Sequence, residues 1–418
     1  MGKWGMMIDV EAQRLRRFRG IFRFVRHSGS GESWLRVMSR RDRARAFWFA
    51  VVAVLAAVLL SALVIGGLLL REEQKEVFVG VEVGYDDVDD VFRFADEVEE
   101  YVNLIVIGSL DITTNSTKLT AVGDYLHNKG LYFIPFMFIS QYLEKPDFFQ
   151  VAKERWGEHF LGVYVSDEPG GRQFDSTNVR IVTEAENYSD AASQYIEGMN
   201  GGLQQFFSHF EESANVTSFT SDYLLHWFDY EAGYDVVFAE FGWNFSRQLH
   251  VALCRGAAAV QDREWGAIVT WTYRNPPYIE DAEMLYSDLV LAYDNGAKYI
   301  LVFNYPNNVT DYGILTEEHL DSMKRFWDYV NAHPQPAQAS KAAYVLPEDY
   351  GYGFRGPDDR IWGLWGPDEL SANIWNETDS LLAAYDKNLD IVYDTAELNL
   401  EQQYEILIFW NGTTVQPD

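Results

Sequence analysis

The chain has 418 residues and a formal net charge of −30 at pH 7, but residues 1–45 contain 12 Lys/Arg and only 4 Asp/Glu. Residues 46–418 therefore carry −30 − 8 = −38, which argues against nucleic acid and anionic surfaces as partners of that part, because both would be repelled. The length fits a barrel with an appended unit. The single cysteine, Cys254, excludes an intrachain disulfide.

Residues 46–70 form an uncharged run of 25 residues, AFWFAVVAVLAAVLLSALVIGGLLL. As a helix this run would reach about 37 Å, enough to cross a hydrocarbon core of about 30 Å. A signal peptide is the weaker interpretation, because the basic leader is long and no small-x-small site precedes Arg71. The positive-inside rule then predicts a single-pass cell-membrane protein, with residues 1–45 cytoplasmic and the remainder extracellular.

Two further patterns concern the membrane and the extracellular side. In the leader, QRLRRFRGIFRFVR places apolar residues at helical spacing among six arginines. It predicts either an amphipathic helix on anionic lipid or topogenic charge with little structure. Seven Asn-x-Ser/Thr sequons follow the predicted span and are compatible with a glycoprotein. They begin at Asn115, Asn187, Asn215, Asn244, Asn308, Asn376 and Asn411.

Beyond residue 77, apolar runs alternate with helix-like segments. The runs are mostly continuous, as in strands buried on both faces of a parallel sheet. Eight strands are predicted, at 77–83, 102–108, 131–137, 160–166, 216–222, 236–242, 266–272 and 298–304. Helices are predicted at 87–101, 118–129, 146–156, 190–210, 246–261, 281–295 and 317–332. This count and order predict a (β/α)8 TIM barrel over residues 77–333.

The remaining chain predicts a second, smaller unit. Residues 334–341 contain HPQPAQAS, which is typical of a linker. In residues 342–418, strand-like AAYVLP, LDIVYD and YEILIFW flank a helix at 368–385. We expect at most three strands in a flavodoxin-like or amidotransferase-like α/β unit. Its helix has no Gly-rich phosphate loop, so no cofactor is predicted.

The ends of the eight strands supply the candidate site, because barrel enzymes place function at that face. The predicted catalytic residues are Asp167, Glu168 and Glu240. The predicted substrate-binding residues are Glu82, Tyr85, Asp222, Trp243, Trp271, Tyr273, Asn304 and Tyr305. Histidine and cysteine do not occur at these ends, the eight histidines show no metal-ligand spacing, and no Gly-x-Ser-x-Gly occurs. No metal site is predicted.

Carboxylates surrounded by aromatic residues suit carbohydrate chemistry. A glycosidic oxygen needs a proton donor, and the oxocarbenium-like centre needs an anion or nucleophile. Aromatic faces pack against the apolar faces of sugar rings. The sequence therefore predicts a carbohydrate or glycan as substrate.

The triplet Asp167-Glu168-Pro169, at the end of the fourth predicted strand, resembles motifs in two groups of barrel glycosidases. In retaining enzymes the strand ends in Asn-Glu-Pro, which implies Glu168 as acid/base. Their second glutamate ends strand seven, where this chain has Trp271-Thr272-Tyr273 instead, so Glu240 is the alternative. In substrate-assisted hexosaminidases an adjacent Asp-Glu pair implies Asp167 as orienting residue and Glu168 as proton donor.

The C-terminal unit also resembles the amidotransferase-like domain that follows the barrel in some β-galactosidases. Taken together, these patterns predict a cell-surface glycoside-hydrolase-like enzyme. The alternative is a non-catalytic barrel that binds glycan or serves as an envelope scaffold. The separation between the carboxyl of Glu168 and a second acid across the cleft distinguishes these hypotheses: without an acid within about 10 Å, a two-carboxylate mechanism fails.

Overall fold

The computed structural model describes Trp48 and residues 77–176, 178–307, 310–336, 340–395 and 398–417. The predicted cytoplasmic leader, and the predicted membrane span apart from Trp48, lie outside the described residues. Within the part that is described, no helix is both long enough and apolar enough to cross a membrane.

Eight parallel strands close into a barrel in chain order, with β8 paired to β1. They are β1 (Phe78–Val83), β2 (Leu104–Ile107), β3 (Tyr132–Met137), β4 (Val163–Val165), β5 (Ser218–Asp222), β6 (Val236–Phe241), β7 (Glu264–Val269) and β8 (Tyr299–Asn304). The predicted (β/α)8 architecture is confirmed. Its strands are almost entirely buried, which explains why they are continuous apolar runs instead of alternating ones.

Helices surround the barrel and connect its strands. They are α1 (Val88–Val98), α2 (Leu110–Thr113), α3 (Ser116–Asn128), α4 (Phe148–Trp156), α5 (Pro169–Asp175), α6 (Tyr188–Ser208), α7 (His226–Glu231), α8 (Arg247–Val260), α9 (Ala282–Asp294) and α10 (Glu317–Ala332). The short helices α2, α5 and α7 were not predicted, because four to seven residues are too few for an apolar period to be recognised. Helix α6 begins at Tyr188, two residues before the predicted start, because the Asn187 side chain accepts a hydrogen bond from the Asp190 amide.

Strand alternation fills the barrel interior with large side chains. Phe219 on β5, Phe238 on β6 and Tyr299 on β8 belong to one buried cluster. Phe219 and Phe238 stack with their ring centroids 5.6 Å apart. Because side chains two residues apart share a face of a strand, Ser221 and Glu240 also point inward, one layer closer to the carboxyl ends. The interior therefore changes from aromatic to polar at this end.

The C-terminal unit contains a sheet in the order β10-β9-β11-β12. Its elements are β9 (Ala342–Leu346), α11 (Ser371–Tyr385), β10 (Leu389–Tyr393), β11 (Ile406–Phe409) and β12 (Thr414–Val415). Strands β9, β10 and β11 are parallel and β12 is antiparallel. The expectation of three strands at most was wrong, because the chain turns at Gly412 (φ 84°) and adds a two-residue edge strand.

Candidate active site

Three acidic side chains lie close together at the carboxyl ends of the barrel strands. Glu82 from β1 and Glu240 from β6 point into the barrel, and both are almost completely buried. Asp167 follows β4, and its negative charge raises the pKa of both glutamates. Closure of the barrel thus brings together residues that are far apart in the sequence.

The turn after β4 has an unusual backbone conformation. Ser166 (φ 66°) and Glu168 (φ 45°) are both left-handed although neither is glycine. Such conformations cost about 1–3 kcal/mol each and concentrate at functional sites. Glu168 is the N-cap residue of α5, and Pro169 occupies its first turn. The Glu168 amide donates to the Ser221 carbonyl at 3.1 Å, which ties the turn to β5.

Two hydroxyl groups orient the Asp167 carboxylate. The Tyr164 hydroxyl lies 2.6 Å from Asp167 Oδ1, and Ser221 Oγ lies 2.9 Å from the same oxygen. Ser221 Oγ also lies 2.6 Å from Glu240 Oε1. A serine hydroxyl has a single hydrogen. Ser221 therefore donates to either Asp167 or Glu240 at any one time, while its oxygen accepts a hydrogen bond from the Tyr164 hydroxyl at 2.7 Å.

Burial and neighbouring charge favour protonation of the glutamates. Burial, followed by the charge of Asp167, raises the pKa of Glu82 to about 8. The same two causes raise the pKa of Glu168 to about 7. Burial and the charges of Glu168 and Asp167 raise the pKa of Glu240 well above its usual range. Glu168 and Glu240 each affect the pKa of the other, so the two carboxyls titrate as a pair.

Asp167 and Glu168 line an open cleft of about 840 Å³. Its aromatic lining includes Trp243 and Trp271, both predicted as substrate-binding residues. Trp243 is 37% exposed, so part of its ring is available for contact. Glu240 does not line this cleft and is only 5% exposed.

Two other predicted aromatic residues are on the surface. Tyr273 and Tyr305 are each 46% exposed. The Tyr305 ring centroid lies 6.1 Å from that of Trp271, so Tyr305 extends the aromatic surface beside the cleft. Tyr273 lies in the loop after β7, where its amide donates to the Tyr278 carbonyl.

The remaining predicted substrate-binding residues face away from the cleft. Asp222 is fully buried and accepts hydrogen bonds from the backbone amides of Gly170, Gly171, Tyr223 and Leu224. Because Ser221 points into the barrel, its neighbour Asp222 points outward and anchors the start of α5.

Tyr85 and Asn304 form a second pair of predicted residues without access to the cleft. The Asn304 side-chain amide donates to the Tyr85 hydroxyl at 2.7 Å, and both residues are buried. Asn304 Oδ1 accepts from the Ile314 amide. This pair joins β8 to the loop that follows β1.

Several lining or supporting residues were missed by the sequence reasoning. Strand alternation could have identified Tyr164 and Ser221, which share an inward face with the strand-end acids. Arg172, Asp175, Tyr223 and Arg274 also line the cleft, but they belong to loops and to a short helix without a periodic pattern. Within the described residues, no group of three or more His, Cys, Asp or Glu side chains is arranged to hold a metal ion.

The C-terminal unit supports the helix that follows Glu168. Gln173 of α5 is completely buried, and its Nε2 donates to the carbonyls of Val182 (3.0 Å) and Trp362 (2.9 Å). Its Oε1 accepts from the amides of Ile181 and Val182. Arg355 forms an ion pair with Asp175 at the end of the same helix. The position of Glu168 therefore depends on residues beyond the barrel.

Replacing Gln173 by leucine is expected to lower the free energy of unfolding by about 1–3 kcal/mol, because it leaves buried backbone groups without partners. Thermal or urea unfolding of the full chain measures this loss. The control is Gln204→Leu at an exposed position of α6, which should change stability by about 0.5 kcal/mol or less. Equal stability of the two variants would contradict a supporting role for Gln173.

No protein-family model matches the chain, and no curated protein matches it. Solved structures share its fold at low identity. An α-L-fucosidase isoenzyme 2 from Paenibacillus thiaminolyticus is 11% identical with a TM-score of 0.50, and the match covers 79% of this chain and 59% of the fucosidase. At such identity the similarity shows the fold alone.

Two further solved structures have lower TM-scores. The GH5_18 protein from Streptomyces cattleya in complex with GlcNAc is 12% identical, with 77% of this chain and 94% of that chain covered and a TM-score of 0.49. An endocellulase from Pyrococcus horikoshii is 9% identical, with 60% and 93% covered and a TM-score of 0.41. These three structural neighbours are glycoside hydrolases.

Proposed function

We propose that the barrel is a glycoside-hydrolase-like enzyme in which Glu168 is the general acid/base. The observation that carries the proposal is a cluster of carboxyl groups at an aromatic cleft: Asp167 and Glu168 line the cleft, and Ser221 Oγ lies 2.9 Å from Asp167 Oδ1 and 2.6 Å from Glu240 Oε1. Neighbouring carboxyls in a buried site do not all ionise readily. Because burial and Asp167 raise its pKa to about 7, Glu168 retains a proton for catalysis near neutral pH.

The geometry supports Asp167 as the charged partner of Glu168. Direct displacement by a carboxylate requires two carboxyl groups about 5–5.5 Å apart, with the sugar between them. Glu240 is buried and does not line the cleft, so a sugar bound in the cleft does not lie between Glu168 and Glu240. Asp167 lines the cleft and is held by Tyr164 and Ser221. Glu240 is accordingly a positioning residue.

The proposed reaction uses Glu168 twice, first as proton donor and then as proton acceptor. Glu168 donates its proton to the glycosidic oxygen as the bond from that oxygen to the anomeric carbon breaks. The Asp167 carboxylate stabilises the positive charge that develops, either directly or by orienting an acetamido group of the substrate. Water then attacks the anomeric carbon and gives a proton to Glu168, which restores the initial state.

Replacing Asp167 by asparagine is expected to move the alkaline limb of kcat/KM to lower pH. The negative charge of Asp167 raises the pKa of Glu168, so its removal lowers that pKa, and Glu168 loses its proton at a lower pH. In the unmodified enzyme this limb should lie near pH 7, where Glu168 titrates. Profiles of kcat/KM for both proteins measure the shift, and an unmoved limb would contradict the coupling.

The activity itself is tested by release of free sugar from aryl glycosides and polysaccharides by the purified full-length chain. Hydrolysis of at least one glycoside supports the proposal. Binding of a sugar without hydrolysis of any would instead support the alternative, a glycan-binding or scaffold barrel. One observation favours that alternative: the predicted run 266–272 at β7 ends without a carboxylate, since Thr270, Trp271 and Thr272 follow the strand.

We further propose that the chain is anchored in the cell membrane by residues 46–70, with the barrel extracellular. The uncharged run and the basic leader support this location. Six sequon asparagines lie in described residues and all six are exposed, at positions 115, 187, 215, 244, 376 and 411; Asn308 lies outside the described residues. Membrane fractionation followed by protease treatment of intact cells tests the location, and a barrel resistant to protease on intact cells but digested after lysis would contradict it.

A further inference from the structure

The cleft contains two arginines that lack the ion pairs made by seven of the nine other arginines in the described residues. Arg172 lies on α5 and Arg274 in the loop after β7, and both line the cleft. Within the described residues, the side chain of neither arginine forms an ion pair or a hydrogen bond. Seven other arginines pair with carboxylates, at positions 93, 155, 247, 255, 263, 325 and 355.

Arg172 has the more constrained environment of the two. Its Nε is buried and has no hydrogen-bond partner among the described residues, an arrangement that leaves a charged donor incompletely satisfied. The Arg172 amide donates to the Glu168 carbonyl at 2.8 Å. Arg172 therefore lies one helical turn, about 5.4 Å along the axis, beyond the proposed acid/base. A group bound there belongs to the same sugar that Glu168 contacts or to its neighbour.

The acids of the cleft do not neutralise these arginines. Asp167 accepts hydrogen bonds from Tyr164 and Ser221. Asp175 is paired with Arg355 and accepts a hydrogen bond from Tyr223. The charge of Arg172 favours the negative form of Asp229, which is fully buried and does not line the cleft. The two guanidinium groups thus remain available to a ligand.

We propose that the cleft recognises an acidic sugar, whose carboxylate or sulfate group binds Arg172 and Arg274. This inference rests on the proposed glycosidase-like function and specifies its substrate class. Guanidinium groups match carboxylate and sulfate geometry and form charge-assisted hydrogen bonds with them. The aromatic rings of Trp243 and Trp271 supply the surface for the apolar face of the sugar. A chain with a net charge of −30 repels anions in general, so an anionic ligand must be held by specific contacts.

Equilibrium binding to the full-length Glu168→Gln variant tests the inference without requiring catalysis. The probes are 4-nitrophenyl α- and β-glucuronides, the matching glucosides and the matching glucoside 6-sulfates, with tryptophan fluorescence as readout. We expect at least about tenfold tighter binding of one acidic series than of the glucosides, the effect of a hydrogen bond to a charged group. Preference for the glucuronides assigns a carboxylate ligand, and preference for the sulfates assigns a sulfate ester.

When Arg172→Gln is added to the Glu168→Gln variant, we expect the preference for acidic sugars to disappear, while the affinity for the glucosides changes little. Arg360→Gln is the matched control, since Arg360 is exposed, lies outside the cleft and has no ion pair among the described residues. Equal binding of acidic and neutral sugars would overturn the inference, as would inorganic sulfate bound as tightly as the acidic sugars. Hydrolysis without such preference would overturn only this inference, whereas acidic preference without any hydrolysis would overturn only the proposed reaction.

Discussion

Replacing Glu168 by glutamine is expected to lower kcat about 10²–10⁴-fold, the usual contribution of a general acid/base. Glutamine retains the size of the side chain but has no proton to donate to a glycosidic oxygen. The left-handed backbone at residue 168 and its amide bond to Ser221 are unaffected by the substitution. The measurement is the rate of hydrolysis of the best aryl glycoside from the substrate panel.

Two further variants test whether the loss of kcat is specific to Glu168. Glu154→Gln, at an exposed position of α4, should leave kcat unchanged. Glu240→Gln removes the buried partner of Glu168 but not the residue that contacts the substrate, so we expect a smaller loss of kcat and a shifted pH profile. Undiminished turnover by Glu168→Gln, with an unaltered circular dichroism spectrum, would reject Glu168 as the acid/base.

Replacing Asp390 by alanine is expected to lower the free energy of unfolding by about 3–5 kcal/mol, because it leaves a buried cation without its partner. Arg255 of α8 and Asp390 of β10 form an ion pair at 2.8 Å, and their side chains are only 4% and 2% exposed. Arg255 also donates to Asn295 and to the Leu389 carbonyl. The pair therefore links the barrel to the C-terminal sheet, and urea unfolding of the full chain measures its loss.

The matched control is the exposed pair of Arg263 and Asp235, whose side chains are 38% and 39% exposed and 2.9 Å apart. Asp235 also accepts hydrogen bonds from Ser218, so the control substitution is Arg263→Gln. It should change stability by about 0–1 kcal/mol. The double variant Arg255→Met/Asp390→Leu should recover much of the stability lost by Asp390→Ala, since an apolar pair needs no compensating charge. If Asp390→Ala and Arg263→Gln lowered the free energy of unfolding equally, burial of the Arg255–Asp390 pair would be energetically unimportant.

The eight barrel strands could be predicted because each is a buried apolar run bounded by turns. All eight observed strands overlap the predicted runs, and helix α10 has the predicted bounds, Glu317–Ala332. Helix α5 could not be predicted in this way. It is seven residues long and contains two glycines, and Asp222 on a different strand supplies the hydrogen bonds that hold its start.

The predicted site residues fall into two groups, those on the inward face of a barrel strand and those on its outward face. Glu240 lies two residues after Phe238 and shares its inward face, so its approach to Glu168 follows from strand alternation once the barrel closes. Asp222 and Asn304 occupy strand ends as well but bind backbone groups outside the barrel interior. Position at a strand end was therefore insufficient to predict that a side chain reaches the candidate site, because adjacent residues in a strand face opposite sides.

The sequence by itself determined the barrel, the acid pair after its fourth strand and the uneven distribution of charge. These features depend on local patterns of apolar and charged residues. Only the tertiary structure decided that Glu240 is the buried partner of Glu168, that Asp167 is oriented by Tyr164 and Ser221, and that Arg172 and Arg274 line one cleft. Those relations join residues separated by many positions in the chain. These contacts exist because closure of the barrel brings the ends of its strands together. No local sequence pattern encodes the distance between residues on different strands.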